Sequence, residues 1–149
     1  MRYTELLKQI SLRYECECNR LLSEYDLTLA QVELQHFLFL RQEQGVPVNQ
    51  RSIEEMLHLK NPTVTGILNR LESKGFIVRV ADPRDRRVNI IMLTDKAVAL
   101  RGEVVRAAEK TESMLTEGFS EEEKAQLQYL LGKMYANIRT YIGEQDCGR

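Results

Sequence analysis

The 149-residue sequence has no tryptophan and little histidine, cysteine or proline. Three cysteines cannot form the dense disulfide framework of small secreted proteins, so a reducing cytoplasm is expected. His36 and His58 lack the spacing and the companions of a metal site. No apolar run is long enough to span a membrane, and the first ten residues are amphipathic and mixed in charge, unlike a signal peptide. We expect a cytoplasmic protein without a membrane partner.

The sequence also lacks the usual marks of an enzyme. It has no nucleophile–base pair and no metal cluster, and Gly66 and Gly75 do not form a phosphate-binding loop. No cofactor and no catalytic residue are predicted.

The overall charge is not that of a nucleic-acid-binding protein: the net charge is −1 and the pI is about 6.2. The charge is unevenly distributed, however. Between Lys60 and Lys96 there are eight Lys or Arg against four Asp or Glu, a local net charge of +4. Phosphate binding depends on such a local patch and not on the total charge.

A predicted helix begins the basic region. Asn61 is a good N-cap, Pro62 suits the first helical position, and Gly75 favours the positive φ that ends a helix. One buried face at helical spacing is formed by Val64, Ile67, Leu68 and Leu71.

A β-hairpin is predicted to follow this helix. The segments Phe76–Val80 and Asn89–Leu93 are rich in β-forming residues. Between them lies the sequence DPRDRR, which has three arginines and two aspartates in six residues.

The outward face of the predicted helix carries short polar residues. Pro62, Gly66, Asn69 and Ser73 lie opposite the apolar face, with Thr63, Thr65, Arg70 and Lys74 on its flanks. Such a face suits close approach to a DNA major groove, although an ordinary solvated face has a similar composition. The arginine-tipped hairpin favours the DNA interpretation, because helix and hairpin together provide a two-point grip on a duplex.

These pieces resemble the winged helix-turn-helix of the MarR family of bacterial transcription regulators. The matching parts are PTVTGILNRLESKGFI for the recognition helix and turn, DPRDRR for the wing, and LTDKA at the start of the next helix. VNQRSIEEMLHLKNPTVT has the layout of the preceding helix of the pair, and with the flanking helices the resemblance covers nearly the whole chain. Ala97 stands where members often have Gly, which should only stiffen that helix start.

The resemblance implies roles for the wing residues. Arg87 aligns with the wing-tip arginine that enters the minor groove, and Asp85 aligns with the acid that holds this arginine. Arg84 and Arg86 are interpreted as phosphate contacts, with a solvated charged loop as the alternative.

On the predicted helix, Asn69 and Arg70 are placed to read base edges, where Asn prefers adenine and Arg prefers guanine. Gln50 and Ser52, in the preceding helix, are weaker candidates for contacts to the DNA backbone. The predicted DNA-binding residues are Asn61, Pro62, Thr63, Thr65, Gly66, Asn69, Arg70, Lys74, Arg84, Asp85, Arg86 and Arg87.

Helices are predicted on both sides of this unit. Upstream, the patterns predict a helix over Tyr3–Tyr25, a second from the N-cap Thr28 to Gln44, a short strand at Val46–Val48 that pairs with the hairpin, and a short helix from Asn49. Downstream, they predict a helix over Asp95–Glu117 and a last helix that runs from a Ser120–Glu123 capping box to Ile142, followed by a frayed tail.

The expected fold is mainly α with a small β-hairpin wing: a winged helix-turn-helix flanked by long dimerisation helices. Its predicted parts are an N-terminal dimerisation helix (1–27), the DNA-binding domain (28–96) and C-terminal dimerisation helices (97–149). The terminal helices carry a wider apolar stripe than a small winged helix can cover, so a homodimer is expected. Its two recognition helices would lie ~34 Å apart, which predicts a near-palindromic operator.

Two further features concern regulation. By topology, Tyr14, His36 and Phe39 are expected to line a crevice between the helical and DNA-binding parts, where the resemblance implies binding of small aromatic or phenolic effectors. Cys16 and Cys18 point about 200° apart on a helix and cannot bridge each other, so they are interpreted as structural. Cys147 is interpreted as incidental.

The sequence thus predicts a homodimeric MarR-type regulator of double-stranded DNA, most simply a repressor that a small molecule releases. The alternative is a helical interaction module that uses the winged helix to dock protein. The outward helix face carries Thr, Gly, Asn and Arg and lacks the large apolar anchors that protein docking favours.

Overall fold

Helices dominate the fold. The computed structural model describes residues 2–142, without the side chain of residue 142, so Cys147 and the predicted frayed tail lie outside the described residues. Within this range the elements in chain order are α1 (Tyr3–Leu22), α2 (Leu29–Glu43), α3 (Gln50–Leu57), α4 (Asn61–Ser73), β1 (Ile77–Ala81), β2 (Asn89–Leu93), α5 (Asp95–Met114) and α6 (Glu121–Ile142). The mainly α class with a hairpin wing is confirmed. None of the helices in this range is long and apolar enough to cross a membrane.

The first helix ends slightly earlier than predicted. It stops at Leu22 and continues as one 3-10 turn over Ser23–Tyr25. Asp26 then adopts a left-handed conformation with φ 55°, which turns the chain toward α2. Thr28 caps α2 as predicted, because its hydroxyl accepts a hydrogen bond from the backbone N–H of Gln31 at 3.4 Å.

The hydrophobic core is centred on α2, which contacts α1, α4, α5 and β2. Leu34 and Leu38 of α2 are fully buried. This agrees with the apolar character of the helix on almost every side, which predicts burial by more than one neighbour. The predicted apolar face of α4 also belongs to the core. Its four residues are all buried: Val64, Ile67, Leu68 and Leu71.

The predicted strand at Val46–Val48 is not formed as a strand. Pro47 has no N–H, and the N–H of Val46 closes the end of α2 by donating to the Arg41 carbonyl at 2.9 Å. What remains is a bridge between Asn49 and Ile90, with a 2.8 Å hydrogen bond from the N–H of Ile91 to the Val48 carbonyl. The segment therefore pairs with the hairpin through an isolated bridge and does not form a third strand.

The hairpin itself is confirmed. The first strand lies one residue later than predicted, the second has the predicted bounds, and the register pairs Ile77 with Leu93 and Ala81 with Asn89. Ile77, Ile91 and Leu93 are buried against the helical core. This burial fixes the base of the wing, and the loop at residues 82–88 extends beyond it.

The start of α4 differs from the prediction by one residue. Lys60, in an extended conformation, is the N-cap, and Asn61 is the first helical residue, so the predicted Asn61 cap is wrong. Pro62 consequently occupies the second helical position. The other end is as expected: Gly75 follows the helix with φ 75°.

The two C-terminal helices are connected by a short turn. The first ends at Met114, three residues before the predicted Glu117. The predicted capping box at the start of α6 is present: the N–H of Ser120 donates to Glu123 Oε2 at 2.8 Å, and the Ser120 hydroxyl accepts from the Glu123 N–H at 3.2 Å.

Candidate nucleic-acid interface

The predicted recognition helix, α4, packs against the rest of the fold through one face. It packs on α2, α3 and β1 through its four buried apolar residues. Its exposed residues are Asn61, Pro62, Thr63, Asn69, Arg70, Glu72 and Ser73, while Thr65 and Gly66 are half-buried. Most of the predicted helix contacts are therefore brought onto one accessible face.

A polar junction fixes α3 against the start of α4. Gln50 Nε2 donates to Thr65 Oγ1 at 2.8 Å and to Glu54 Oε1 at 3.1 Å, and Asn61 Nδ2 donates to the same Glu54 oxygen at 2.8 Å. The side chains of Asn61 and Thr65 thus have partners within the protein. Any contact they make to DNA would share or replace these bonds.

Gly66 stands in the middle of α4 without a packing reason. A Cβ atom built at this position meets nothing within 4 Å. A glycine within a helix costs about 1 kcal/mol relative to alanine. Its presence on the accessible face fits a requirement for close approach by a partner.

The far end of α4 is tied to its neighbours. Lys74 Nζ donates to the Asp26 carbonyl at 2.5 Å and lies 3.1 Å from Asp26 Oδ1. Lys96 Nζ donates to the Lys74 carbonyl at 2.7 Å, and the Thr94 hydroxyl donates to the Gly75 carbonyl at 2.7 Å. The ammonium group of Lys74 is thus occupied at the α1–α2 corner, in contrast to the cations of the wing.

The wing loop is shaped by its two aspartates. Asp82 Oδ1 accepts the backbone N–H of Arg84 at 2.8 Å, and Asp85 Oδ1 accepts the backbone N–H of Arg87 at 3.1 Å. Such side-chain turns are typical of aspartate in loops. The side chains of Arg84, Arg86 and Arg87 are all exposed.

Arg87 lies near Asp85, the residue that is predicted to hold it. Its side chain is 95% exposed, and its Nε lies 3.9 Å from Asp85 Oδ1. The Asp85 carboxylate therefore accepts the backbone N–H of Arg87 and also lies near its side-chain Nε, while the Arg87 side chain is exposed to solvent.

Sequence reasoning missed Arg79. From β1, this side chain donates to Asn69 Oδ1 at 2.9 Å and forms an ion pair with Glu72. Arg79 lies on a strand and Asn69 lies on a helix, ten residues earlier in the chain. No local sequence pattern indicates a contact between them.

A small cavity of about 30 Å³ lies between α2 and α5. Its lining residues are Val32, Gln35, His36, Leu93, Ala97, Leu100, Arg101, Val104 and Val105. Among the described residues, Gln35 Nε2 and Arg101 Nε are buried donors without a hydrogen-bond partner.

Of the three predicted effector residues, His36 lines this cavity. Phe39 is not a lining residue, but its ring stacks under the lining residue Arg101, whose Cζ is 3.9 Å from the ring centroid. Tyr14 does not line it. Burial, with a smaller contribution from a hydrogen bond to Cys18, raises the pKa of Tyr14 to about 12.

Comparisons with known proteins agree on one family. The sequence model of the MarR family matches residues 35–88. The HTH-type transcriptional regulator PecS of Dickeya dadantii (strain 3937) is 32% identical over 134 residues, which are 89% of this chain and 79% of PecS.

Solved structures share the fold. The MepR–DNA complex of S. aureus matches with a TM-score of 0.82 at 29% identity, over 92% of this chain and 98% of the MepR chain. The reduced form of MarR from E. coli, at 24% identity, matches in fold with a TM-score of 0.77 over 90% of this chain and 96% of that chain. The chain therefore belongs to the MarR family of transcription regulators, which are not enzymes.

Proposed function

We propose that the protein binds duplex DNA as a homodimer, represses transcription from a near-palindromic operator, and is released by a small anionic aromatic effector. The observation that carries this proposal is the shared exposure of the polar face of α4 and of the three wing arginines. The MepR structure with a TM-score of 0.82 is a DNA complex. Repression needs no contact beyond occupancy of promoter DNA.

The two parts of the interface have different tasks. Wing arginines neutralise phosphate or enter the minor groove, which gives affinity and salt dependence. Thr63, Asn69 and Arg70 on α4 are placed to give sequence preference through base edges. The residues proposed to contribute to DNA binding remain those predicted from the sequence. Among them, Asp85 acts through the geometry of the wing loop, and Lys74 reaches DNA only if it leaves Asp26.

The homodimer is supported by the state of α6. This 22-residue helix has no buried side chain among those described: only Lys124 and Leu127 are half-buried. Exposed apolar residues on α6 include Tyr129, Leu130, Leu131, Met134, Tyr135, Ile138 and Tyr141, and those on α1 include Tyr3, Leu6, Leu7, Ile10 and Leu12. Apolar surface of this extent marks a protein interface, and a second copy provides the matching surface.

The effector is proposed to enter at the cavity between α2 and α5. Arg101 and Gln35 offer unpaired donors to an anion, and apolar residues surround them. A volume of about 30 Å³ holds only one or two water molecules, so an aromatic ring must separate the two helices. Leu93, at the end of the wing hairpin, and Ala97 line the cavity, so this separation would also move the wing.

DNA binding is tested by titrating the protein against duplexes from its own upstream region at several salt concentrations, beside Arg87→Ala. We expect tight, sequence-selective and salt-dependent binding that falls sharply in the variant. Equal and weak binding by both proteins would overturn the DNA proposal and favour a protein partner of the same face.

Repression and release need separate measurements. A promoter reporter should lose expression when the protein is present. Benzoate, as an anionic aromatic probe, should dissociate the DNA complex, whereas uncharged benzyl alcohol should not. Arg101→Met should keep DNA binding and lose the benzoate response. The effector proposal fails if benzoate has no effect or acts equally on both proteins.

A further inference from the structure

Arg79 joins the wing to the reading face of the recognition helix. Its guanidinium donates to Asn69 Oδ1 at 2.9 Å and is paired with the carboxylate of Glu72. The Arg79 side chain is only 20% exposed, whereas Asn69 is an exposed residue of α4. One partly buried cation therefore contacts an exposed side chain on the face that is proposed to meet DNA.

This contact decides the orientation of the Asn69 amide. A guanidinium has only donors, so the amide atom that faces Arg79 must be the oxygen. The Nδ2 group, with its two donors, is then directed away from Arg79. The ion pair with Glu72 also neutralises Arg79, which makes this residue a poor phosphate contact in spite of its charge.

The orientation matters for base recognition. An unrestrained asparagine reads adenine by donating to N7 and accepting from N6, which uses both ends of the amide. With its oxygen engaged by Arg79, Asn69 offers mainly a donor. Donors match the acceptor groups of the major groove, which are N7 and O6 of guanine, O4 of thymine and N7 of adenine. In adenine the N7 acceptor lies beside the N6 donor, and a donor-only Asn69 leaves that donor unmatched.

We infer that Arg79 is a specificity-determining positioning residue: it holds Asn69 as a hydrogen-bond donor and directs it to guanine or thymine in preference to the bidentate adenine contact. The inference rests on the proposed DNA binding and adds a base preference and the residue that sets it.

The experiment begins with selection of binding sites from randomised duplex DNA by the wild-type protein. Asn69→Ala then identifies the base pair at which preference is lost. Affinity is measured for four duplexes that differ only at this base pair, with the wild type, Arg79→Met and Glu72→Gln. We expect the wild type to prefer guanine or thymine, and Arg79→Met to shift the ratio toward adenine by about tenfold.

Glu72→Gln is the matched control. It removes the ion pair but leaves Arg79 able to donate to Asn69, so the base preference should be unchanged. A purely structural role of Arg79 would weaken binding to all four duplexes equally. Unchanged ratios in Arg79→Met, or a wild-type preference for adenine, would overturn the inference.

Arg79→Gln tests the same point if Arg79→Met does not fold, because a glutamine amide can donate or accept and no longer fixes the Asn69 amide, so the ratio should again shift toward adenine. A further variant tests the donor of Asn69 itself. Asn69→Asp keeps an acceptor for Arg79 but has no donor, so it should lose the wild-type preference and gain affinity for cytosine, whose N4 is a donor. Retention of the wild-type preference would contradict the inference. Failure of the wild type to select any sequence would instead refute the proposed function itself, and the inference with it.

Discussion

The carboxylate of Asp85 and the backbone N–H of Arg87 form a 3.1 Å hydrogen bond at the tip of the wing. The same oxygen lies 3.9 Å from Arg87 Nε. An acidic residue is thus placed where DNA phosphates are expected. Its contribution must come from loop geometry, because its charge alone opposes DNA binding.

This relationship predicts opposite effects for two substitutions. Asp85→Ala should lower DNA affinity by roughly threefold to tenfold, since the loop loses the bond that orders Arg87. Asp85→Asn keeps an acceptor and removes the negative charge, so its affinity should equal or exceed that of the wild type. Titration of both variants against one operator duplex at fixed salt is the measurement. Higher affinity in Asp85→Ala would show that charge dominates over loop geometry.

The exposed face of α6 leads to a prediction about assembly. Leu131→Glu places a charge in the proposed dimer interface and should convert the dimer to a monomer in analytical ultracentrifugation. DNA affinity should fall by about 100-fold or more, because two linked half-site contacts become independent. Thr140→Glu adds the same charge on the opposite side of the helix, nine residues from Leu131, and serves as the control. A dimeric Leu131→Glu protein would place the interface elsewhere.

The raised pKa of Tyr14 predicts a loss of stability at alkaline pH. The ordinary pKa is 10 and that in the folded protein is about 12, so the folded state retains the proton longer. This contribution is complete below pH 10 and is lost as the pH rises through 12. Melting temperatures between these values should fall less steeply for Tyr14→Phe than for the wild type. Equal slopes for the two proteins would contradict a raised pKa of Tyr14.

Periodicity and capping signals predicted most of the fold. The buried face of α4, the Thr28 cap, the Ser120–Glu123 capping box and the second hairpin strand were all correct. These features depend on residues close together in the chain, where intrinsic preferences act directly.

The errors arose where contacts outside the predicted element use the same groups. Asparagine is a favoured N-cap residue, but the Asn61 side-chain amide donates to Glu54 of α3. The helix begins at Asn61 itself, with Lys60 as its N-cap. Val46 was expected in a strand, yet its N–H closes α2. The contact between Arg79 and Asn69 likewise depends on how the wing folds back on the helix, which no local pattern encodes.

Substitution of Gly66 is expected to change the stability of the protein and its affinity for DNA in opposite directions. A methyl group at this position meets no protein atom within 4 Å, so Gly66→Ala should raise the free energy of unfolding by roughly 0.5–1 kcal/mol through its higher helix propensity. The same methyl group would lie on the face that is proposed to approach DNA. Operator affinity should fall by about tenfold, comparable to the loss of one base-pair contact.

Gly102→Ala is the matched control for this substitution. It also replaces a helical glycine, and its Cβ would come no closer than 3.9 Å to Arg106. It lies in α5, away from the recognition helix, so stability should rise while operator affinity stays unchanged. Urea unfolding and operator titration on the same preparations provide both readouts. If Gly66→Ala gains stability and binds the operator as well as the wild type, the recognition helix does not approach DNA closely at this position.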